Sequence, residues 1–454
     1  MMSSRSNRTG QNIPKSERKN IITMSMETST NPAGNKQGWI VTIAGTCALL
    51  SLGVLYAWSV LKANIPDAWN WADSQKSLPY STACVIFSLA TILGAKLLGK
   101  YGPRVVVTAG GVLAGLGMII PSFSTSPWVY TLAFGLLIGT GIGFVYSTAS
   151  PTALKWFPGS KTGLISGIVV AGFGMGSAWV APLARTTISL IGLQATMLYF
   201  GLGMAALVII LAQFMRFPPA GYVPVETGAK KSAAKIASKD FSTKEVVRTW
   251  QFYLIWIAFA FGSGAGLMVI GNLASIVKDQ IGLVAFSAIA VSALAIGNGA
   301  GRVLYGLLSD KIGRRNVMLI AFIFQAVLIF VLTYFVKGSS YVNVPVLMAF
   351  VALIGANYGA NLAVFPAMTK DYYGSKNFAM NYGIVYTAWG LGGFMLSQIA
   401  GSIRDTTGNF NQAYLLAAVM LIIAAILMGI LKSPQIAKEA SVPVVTGSPA
   451  PTMD

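Results

Sequence analysis

The stretch IGNGAGRVLYGLLSDKIGRR, residues 296–315, joins an apolar half rich in small residues to a dense charged turn. The apolar half contains one arginine, Arg302, eight residues before Asp310. An apolar segment followed by a cluster of Lys and Arg predicts a membrane helix that ends at an anionic lipid surface. The fold class therefore follows from this stretch, and the isolated arginine inside it needs a physical explanation.

The composition of the whole chain agrees with a membrane protein. Its 454 residues are 55% hydrophobic and 10% charged, and the mean hydropathy is +0.67. Soluble domains contain about 25% charged residues. Twelve apolar segments are long enough to cross a hydrocarbon core of about 30 Å, and we expect helices because lipid cannot satisfy open strand edges. Their predicted limits are 39–61, 79–99, 104–124, 128–150, 163–187, 192–215, 250–277, 285–309, 316–336, 342–369, 378–402 and 411–432.

The net charge of +19 indicates membrane topology rather than nucleic-acid binding. If both termini lie on one side, 25 of the 32 Lys and Arg residues fall on that side and six on the other, with Arg302 inside a span. An excess of Lys and Arg is typical of cytoplasmic loops, so both termini are predicted in the cytoplasm. We therefore expect a multi-pass protein of the inner (cytoplasmic) membrane with no nucleic-acid partner.

The polar residues divide the chain into five regions. Disordered cytoplasmic tails are predicted at 1–38, which is rich in Ser, Thr and Asn, and at 433–454. A Pro-, Lys- and Ser-rich stretch at 216–249 is predicted to be a cytoplasmic linker. It separates two predicted six-helix bundles at 39–215 and 250–432.

The two halves contain related segments. AKLLGKYGPR at 95–104 and GLLSDKIGRR at 306–315 follow the second and eighth spans, at an offset of 211 residues. Gly-Ser-Lys recurs at 159–161 and 374–376, after the fourth and tenth spans, at an offset of 215. Two related segments at the same step of each half predict a duplicated six-helix unit. Internal repeats around a central site are typical of secondary transporters.

GLLSDKIGRR fits the pattern G-x-x-x-D-[RK]-x-G-[RK]-[RK] in full, and so resembles the loop of the major facilitator superfamily. The resemblance implies that superfamily's fold, an all-α integral membrane protein of twelve helices in two six-helix pseudo-repeats. The candidate residues of this conformational loop are Gly306, Asp310, Lys311, Gly313, Arg314 and Arg315. In the first copy Gly99 replaces the aspartate, so a conformational role is expected only for the second copy. A loop that only sets topology is the alternative.

Arg302 is expected well inside its span, where an arginine costs at least ~2.5–3.5 kcal/mol on insertion scales. All 13 acidic residues lie outside the predicted spans or at their ends, so no protein anion is expected at its depth. An anionic substrate is then the natural partner, because a guanidinium binds a carboxylate through two parallel N–H bonds. Asn298, one turn earlier on the same face, is expected to hold the guanidinium or the substrate. The alternative is an arginine satisfied by backbone carbonyls, Asn298 and water.

Five stretches resemble the oxalate/formate antiporter family, a branch of the major facilitators that includes monocarboxylate carriers. They are GVLYAWSV (53–60), GIGFVYSTASPTALKWFP (141–158), NGAGRVLYGLLSDKIGR (298–314), NYGANLAVFP (357–366) and NYGIVYTAWG (381–390). The resemblance implies that Arg302 binds a substrate carboxylate inside an aromatic cage. By the same matching, the cage falls on Tyr56, Tyr146, Tyr358 and Tyr386. Core filling or a place at the membrane interface is the alternative for each tyrosine.

Trp389 stands where the oxalate carrier of this family has a second cation, a lysine. Two cations suit a dianion, whereas one cation with an additional aromatic ring suits a monoanion with an apolar body. An unpaired carboxylate of oxalate in a dry site would be costly. We therefore predict a monocarboxylate carrier with Trp389 in its site. Lys62, at the end of the first span, is expected to be solvated, and electrostatic attraction of anions is the alternative role.

The predicted function is secondary active transport of a lactate- or pyruvate-type monocarboxylate by alternating access. Proton coupling is preferred, although a chain with no histidine and no carboxylate within a span also fits anion exchange. The other candidates are an oxalate/formate-type exchanger and a non-transporting membrane sensor. The absence of histidine and the separation of Cys47 from Cys84 argue against an enzyme, a metal site or a cofactor. The expected partners are the anion, a proton and the lipid bilayer, and a monomer is expected.

Overall fold

The computed structural model describes residues 32–158, 161–224, 240–340 and 342–434. Most of the two predicted tails, the middle of the predicted linker and two residues of the first Gly-Ser-Lys copy lie outside the described residues. The described part of the chain is helical and contains no strand. A helix satisfies its own backbone groups, which is what a segment inside lipid requires.

Twelve long helices follow one another along the described chain. In the amino-terminal half they are α1 (Pro32–Ser51, continued by a short helix Trp58–Lys62), α2 and α3 (Asp73–Ile119, divided at Gly102), α4 (Pro127–Leu154), and α5 and α6 (Thr162–Ala212, divided at Gly192). In the carboxy-terminal half they are α7 (Trp250–Ser275), α8 (Ser287–Ile312), α9 (Arg314–Val331), α10 (Val344–Tyr373), α11 (Phe378–Thr407) and α12 (Asn411–Ile430). The predicted fold class is confirmed, and each predicted span falls on one of these helices.

Two glycines divide long helical segments into pairs of membrane helices. The φ angles of Gly102 and Gly192 are 75° and 81°, a left-handed conformation that glycine adopts without steric penalty. Pro103 begins α3 directly after Gly102, which suits a residue with no backbone N–H. Nine segments of the described chain are long and apolar enough to cross a membrane, and two of them, Asp73–Phe123 and Thr162–Ala212, contain two helices each.

α11 is not among these nine segments because polar residues interrupt its apolar sequence. Asn381 is fully buried in the molecule, and the Gln398 side chain donates to Ser81 Oγ of α2 at 2.7 Å. A membrane helix that contacts protein instead of lipid tolerates such residues, because neighbouring helices supply hydrogen-bond partners. α11 is therefore an interior helix.

The two halves meet along three pairs of helices, α1 with α7, α2 with α11 and α5 with α8. One hydrophobic core runs through both halves. Within the carboxy-terminal half, α8 and α10 approach so closely that a Cβ on Gly359 would overlap the Asn298 carbonyl and lie 3.1 Å from the Arg302 backbone nitrogen. Small residues permit this approach, and it fixes the height of Arg302 relative to α10.

The membrane helices define two faces. The terminal face contains the start of α1, the described ends of the linker and the end of α12, and the opposite face contains the turn between α1 and α2. The two described ends of the linker belong to different halves. The hydroxyl of Tyr222 donates to the Trp156 carbonyl at 3.2 Å in the amino-terminal half. Asp240 Oδ1 accepts the backbone N–H groups of Ser375 and Lys376, at 2.9 and 3.0 Å, in the carboxy-terminal half.

Candidate functional site

The guanidinium of Arg302 lies in the middle of the molecule, where the residue is 5% exposed. Its Nε donates to Asn298 Oδ1 at 3.1 Å, one turn earlier on α8. Its Nη1 donates to the Val170 carbonyl of α5 at 2.6 Å. Its Nη2 is buried without a hydrogen-bond partner among the described residues. Arg302 therefore joins the two halves. The two N–H groups of its Nη2 remain for a further acceptor.

Gly174 on α5 provides the space for this guanidinium. A Cβ at Gly174 would lie 3.0 Å from Cζ and Nε of Arg302, closer than real Cβ atoms normally come. Asn298, which is fully buried, places Nδ2 3.5 Å from the Gly174 carbonyl. A glycine at this position of α5 thus lets a charged group of one half pack on the backbone of the other.

The ion pairs of the described residues involve other cations, and none of them includes Arg302. The predicted shortage of an anion at its depth is therefore seen in the structure. A buried cation without a carboxylate is favourable for an incoming anion, because the low local dielectric strengthens their attraction.

Three of the predicted aromatic residues form a chain of hydrogen bonds. The hydroxyls of Tyr56 on α1 and Tyr358 on α10 lie 2.9 Å apart. Trp389 Nε1 on α11 donates to the same Tyr358 hydroxyl at 2.8 Å. All three side chains are at most 1% exposed. The chain joins helices of both halves.

The remaining two predicted tyrosines stack in the same cluster. The rings of Tyr146 on α4 and Tyr386 on α11 are stacked with centroids 6.0 Å apart, and Tyr386 stacks on Trp389 at 5.3 Å. The charge of Arg302 interacts electrostatically with Tyr56, Tyr146 and Tyr386. The structure thus brings the five predicted aromatic residues together in one cluster next to Arg302 and Asn298.

Four further aromatic residues of this cluster were missed at the level of sequence. Phe87 contacts Tyr146, Tyr386 and Trp389, at centroid distances of 5.0 to 5.8 Å. The others are Phe173, Phe259 and Tyr382. Tyr382 has a buried hydroxyl with no hydrogen-bond partner among the described residues. Its position one helical turn before Tyr386 was the available signal, whereas the three phenylalanines lie in apolar sequence without any motif.

The loop at 306–315, for which a conformational role is predicted, packs within the carboxy-terminal half. Gly313 has a φ of 91°, which glycine adopts without strain, and it ends α8. Arg314 Nη1 pairs with Asp310 at 2.6 Å and its Nε with Asp371 of α10 at 3.2 Å. Arg315 Nη2 donates to the Gly429 carbonyl of α12 at 2.5 Å. Lys311 is exposed, and a Cβ on Gly306 would come no closer than 3.9 Å to Ala363, so this glycine is not a tight helix contact.

The expectation of a solvated Lys62 is wrong. Lys62 is 2% exposed, and its Nζ donates to Ser77 Oγ at 2.8 Å and to Asn272 Oδ1 at 2.6 Å. The amide of Asn272 comes from α7 and covers the lysine from the other half. The sequence around Lys62 gives no sign of its burial, because Asn272, which covers it, is 210 residues away in the chain.

The sequence matches the model of the family described as Major Facilitator Superfamily over residues 41–297 and 266–451. It is 32% identical over 404 residues to the Oxalate:formate antiporter of Oxalobacter formigenes, covering 87% of this chain and 91% of the relative. It is 24% identical over 458 residues to Monocarboxylate transporter 12 of Rattus norvegicus, covering 94% and 91%. In fold it is similar to a crystal structure of a bacterial homolog to the human lysosomal transporter Spinster, with a TM-score of 0.66, 16% identity, and coverage of 88% and 97%.

A multi-pass membrane transporter, and not an enzyme, is the class that these helices and relatives define. The chain belongs to the major facilitator superfamily, in its branch with the oxalate:formate antiporter. The resemblance to this branch, inferred from five short stretches, is therefore confirmed, and relatives named as monocarboxylate transporters also match nearly the whole chain.

Proposed function

We propose that the chain is a proton-coupled carrier of small monocarboxylates of the lactate or pyruvate type, with Arg302 as the residue that binds the carboxylate. The bundles at 39–215 and 250–432 would rock as units, with both termini and the linker at 216–249 on the cytoplasmic side of the inner membrane. We propose a monomer as the transporting unit.

The unpartnered Nη2 of Arg302 carries this proposal. A buried donor without an acceptor costs about 1–3 kcal/mol, and more when it is charged. A carboxylate bound at Nη2 would remove that cost and neutralise the cation in the same step. Since a bidentate carboxylate takes two parallel N–H groups, we expect it to displace the Val170 carbonyl from Nη1.

This displacement suggests how substrate binding favours the movement of the halves. Val170 belongs to α5 and Arg302 to α8, so their hydrogen bond ties the amino-terminal half to the carboxy-terminal half. A substrate that replaces this bond satisfies Arg302 within its own half. Movement of the loaded carrier then breaks no bond of the guanidinium, whereas movement of the empty carrier does.

Selection of a monocarboxylate is attributed to Trp389. It is fully buried, stacks on Tyr386 and holds the Tyr358 hydroxyl, so an aromatic surface occupies the place of a second cation. Such a surface favours the apolar body of lactate or pyruvate. It offers only one N–H donor, which is already used, to a second carboxylate.

Proton coupling is proposed without a protein relay of the usual residues. The chain has no histidine, and Arg302 pairs with no carboxylate among the described residues. We propose that the proton enters with the anion, so that the substrate crosses as anion plus proton. The bond between Arg302 and the Val170 carbonyl opposes movement of the empty carrier, and this penalty would also favour anion exchange.

Uptake of labelled L-lactate into liposomes containing the purified protein tests this function, with and without an inward proton gradient and with pyruvate, formate and oxalate as competitors. We expect gradient-driven uptake that pyruvate blocks and oxalate does not. Arg302→Gln, which removes the charge and keeps a shorter polar side chain, should reduce uptake at least about 100-fold, since one charge-assisted contact is worth about 1.5–3 kcal/mol and bidentate binding makes two. Arg302→Lys is the matched control. It keeps the positive charge but cannot donate two parallel N–H bonds, so it should retain partial activity. Wild-type uptake by Arg302→Gln would contradict the proposal.

An oxalate/formate-type exchanger is the second candidate, favoured by the 32% identity to a protein named as an oxalate:formate antiporter. The same vesicles distinguish the two functions. Uptake that occurs only into preloaded vesicles and is competed by oxalate supports exchange, and it would also mean that one buried cation suffices for a dianion.

A further inference from the structure

A group of charged and polar side chains joins the two halves at the opposite face. We call it the cross-half cluster, and it consists of Lys62 and Asp73 from the amino-terminal half with Asn272, Asp279, Arg404 and Asp405 from the carboxy-terminal half. The buried ammonium of Lys62 is its centre. Its Nζ lies 2.6 Å from Asn272 Oδ1 and 3.9 Å from Asp73 Oδ1.

Arg404 and Asp405, at the end of α11, bind the start of α2. Arg404 Nε lies 3.3 Å from Asp73 Oδ2, and its Nη2 pairs with Asp279, four residues after the end of α7. The carboxylate of Asp405 accepts the backbone N–H groups of Asp73 at 2.6 Å and of Ser74 at 3.0 Å. The first N–H groups of a helix have no partner within it, and they favour negative charge. Asp405 of one half therefore caps a helix of the other.

The backbone of α11 rests directly on α2 at this point. A Cβ on Gly401 would lie 2.9 Å from Ser74 Cα and 3.0 Å from the Asp73 carbonyl, so a larger residue would not fit. Next to it, Lys278 Nζ donates to the Ala63 carbonyl at 3.1 Å. The cross-half cluster thus lies where the backbones of the two halves are in direct contact, and it is more than a pair of isolated side chains.

A cavity of ≈ 450 Å³ lies on the cluster, and Lys62, Asp73, Asp279 and Arg404 are among its lining residues. Farther along α2, roughly 16 Å from Asp73 at about 1.5 Å per residue, Cys84 is fully buried. Its Sγ lies 3.5 Å from the place where a Cβ on Gly393 of α11 would be. The cluster therefore lies between this cavity and the interior contact of α2 with α11.

We propose that the cross-half cluster is a latch that keeps the opposite face closed, and that Asp405 and Arg404 are its holding residues. This inference rests on the proposed function in two respects, that the halves rock and that the opposite face is the external one. Separation of the two halves at this face breaks the bond of Lys62 with Asn272, the pair of Arg404 with Asp73 and the cap by Asp405 together. The closed state is then stabilised by charges that face each other only in that state.

Cys84 provides an internal reporter for the latch. Cys47 and Cys84 are the only cysteines of the chain, so Cys47→Ser leaves Cys84 as the single thiol. A membrane-impermeant methanethiosulfonate reagent, applied from outside to cells, reaches Cys84 only when α2 and α11 separate at the opposite face. We expect Asp405→Asn and Arg404→Gln, each in the Cys47→Ser background, to increase the labelling rate roughly tenfold, because each removes a charge-assisted contact of the closed state.

Asp67→Asn is the matched control. Asp67 lines the same cavity and is exposed, and its substitution removes the same charge without touching the contacts described above. It should label at the rate of the Cys47→Ser parent. A single sharp gel-filtration peak in detergent verifies that each variant is folded. Equal labelling of the parent, Asp405→Asn and Arg404→Gln would overturn the latch, as would an equal acceleration by Asp67→Asn.

The outcome is separate from the identity of the substrate, because labelling requires no transport. If lactate is not carried, Cys84 still reports the opening of the opposite face. If the orientation is reversed, Cys84 is labelled in inside-out vesicles and not in intact cells. Asp405→Asn and Arg404→Gln should then still label faster than Asp67→Asn.

Discussion

At the scale of single residues, the three guanidinium nitrogens of Arg302 have three different environments. Nε is held within α8 by Asn298, Nη1 binds the other half at Val170, and Nη2 has no partner among the described residues. Two bonds fix the plane of the guanidinium, so it is oriented before any ligand arrives. Such preorganisation lowers the ordering cost of binding.

Trp389 permits a test of specificity at one position. We expect Trp389→Lys to improve competition by oxalate at least about tenfold relative to pyruvate, because a second cation compensates the second carboxylate, worth about 1.4 kcal/mol or more. The measurement is the ratio of inhibitory concentrations of oxalate and pyruvate against labelled lactate. Trp389→Phe retains a ring and removes the donor to Tyr358, so it should leave this ratio nearly unchanged. An unchanged ratio in Trp389→Lys would count against the specificity role.

The residues of the site were predictable to different degrees for a physical reason. An arginine in an apolar segment is costly, so Arg302 was conspicuous in the sequence. Phe87 and Phe173 were not, because a phenylalanine has the same sequence signal whether it faces lipid or the centre of the molecule. The burial of Lys62 was also hidden, since it depends on Asn272 of the other half.

At the scale of helices, glycines set how closely the site is assembled. Gly359 brings α10 onto α8 beside Asn298 and Arg302, and Gly174 brings α5 under the guanidinium. Membrane helices associate through such backbone contacts because lipid gives no hydrophobic force between them. The positions of Arg302 and Tyr358 relative to each other therefore depend on residues that have no side chain.

Gly359→Ala should lower both stability and uptake. Its Cβ would overlap the Asn298 carbonyl, and overpacking of this kind typically costs about 1–3 kcal/mol. The melting temperature in detergent and the initial uptake rate measure the effect. At Gly203 in α6 a Cβ would meet nothing within 4 Å, so Gly203→Ala should be neutral or slightly stabilising. Equal melting temperatures for the two variants would refute the packing argument.

The number and type of the helices could be predicted from the sequence, whereas their interruptions could not. Apolar length predicted the first span as continuous at 39–61. The structure instead has a 3-10 turn at Gly53–Leu55, where Gly53 meets the backbone of Gly176 in α5. A break caused by a neighbouring helix leaves no periodic signal in its own sequence.

At the scale of the whole molecule, the distribution of charge fixes the proposed orientation. Of the 32 basic residues, 25 belong to the side of the termini, and this asymmetry predicts a cytoplasmic terminal face. Repeated segments at the same step of each half predicted the duplication, and the described chain has six helices on each side of the linker. These features are spread along the sequence, so they were predictable without knowledge of any contact.

Single cysteines test this orientation. In a chain lacking Cys47 and Cys84, we expect Ser340→Cys, in the exposed turn between α9 and α10, to react with an impermeant maleimide on intact cells. Lys311→Cys, exposed at the terminal face, should react only after the cells are permeabilised. The ratio of labelling before and after permeabilisation is the measurement. Labelling of Lys311→Cys on intact cells would reverse the assigned orientation.

The docking of both described linker ends has a consequence for how force passes through the molecule. Tyr222 holds one end to the amino-terminal half and Asp240 holds the other to the carboxy-terminal half. Each described linker end is therefore held by its own half. Among the described contacts, force on one half is transmitted to the other where α1 meets α7, α2 meets α11 and α5 meets α8.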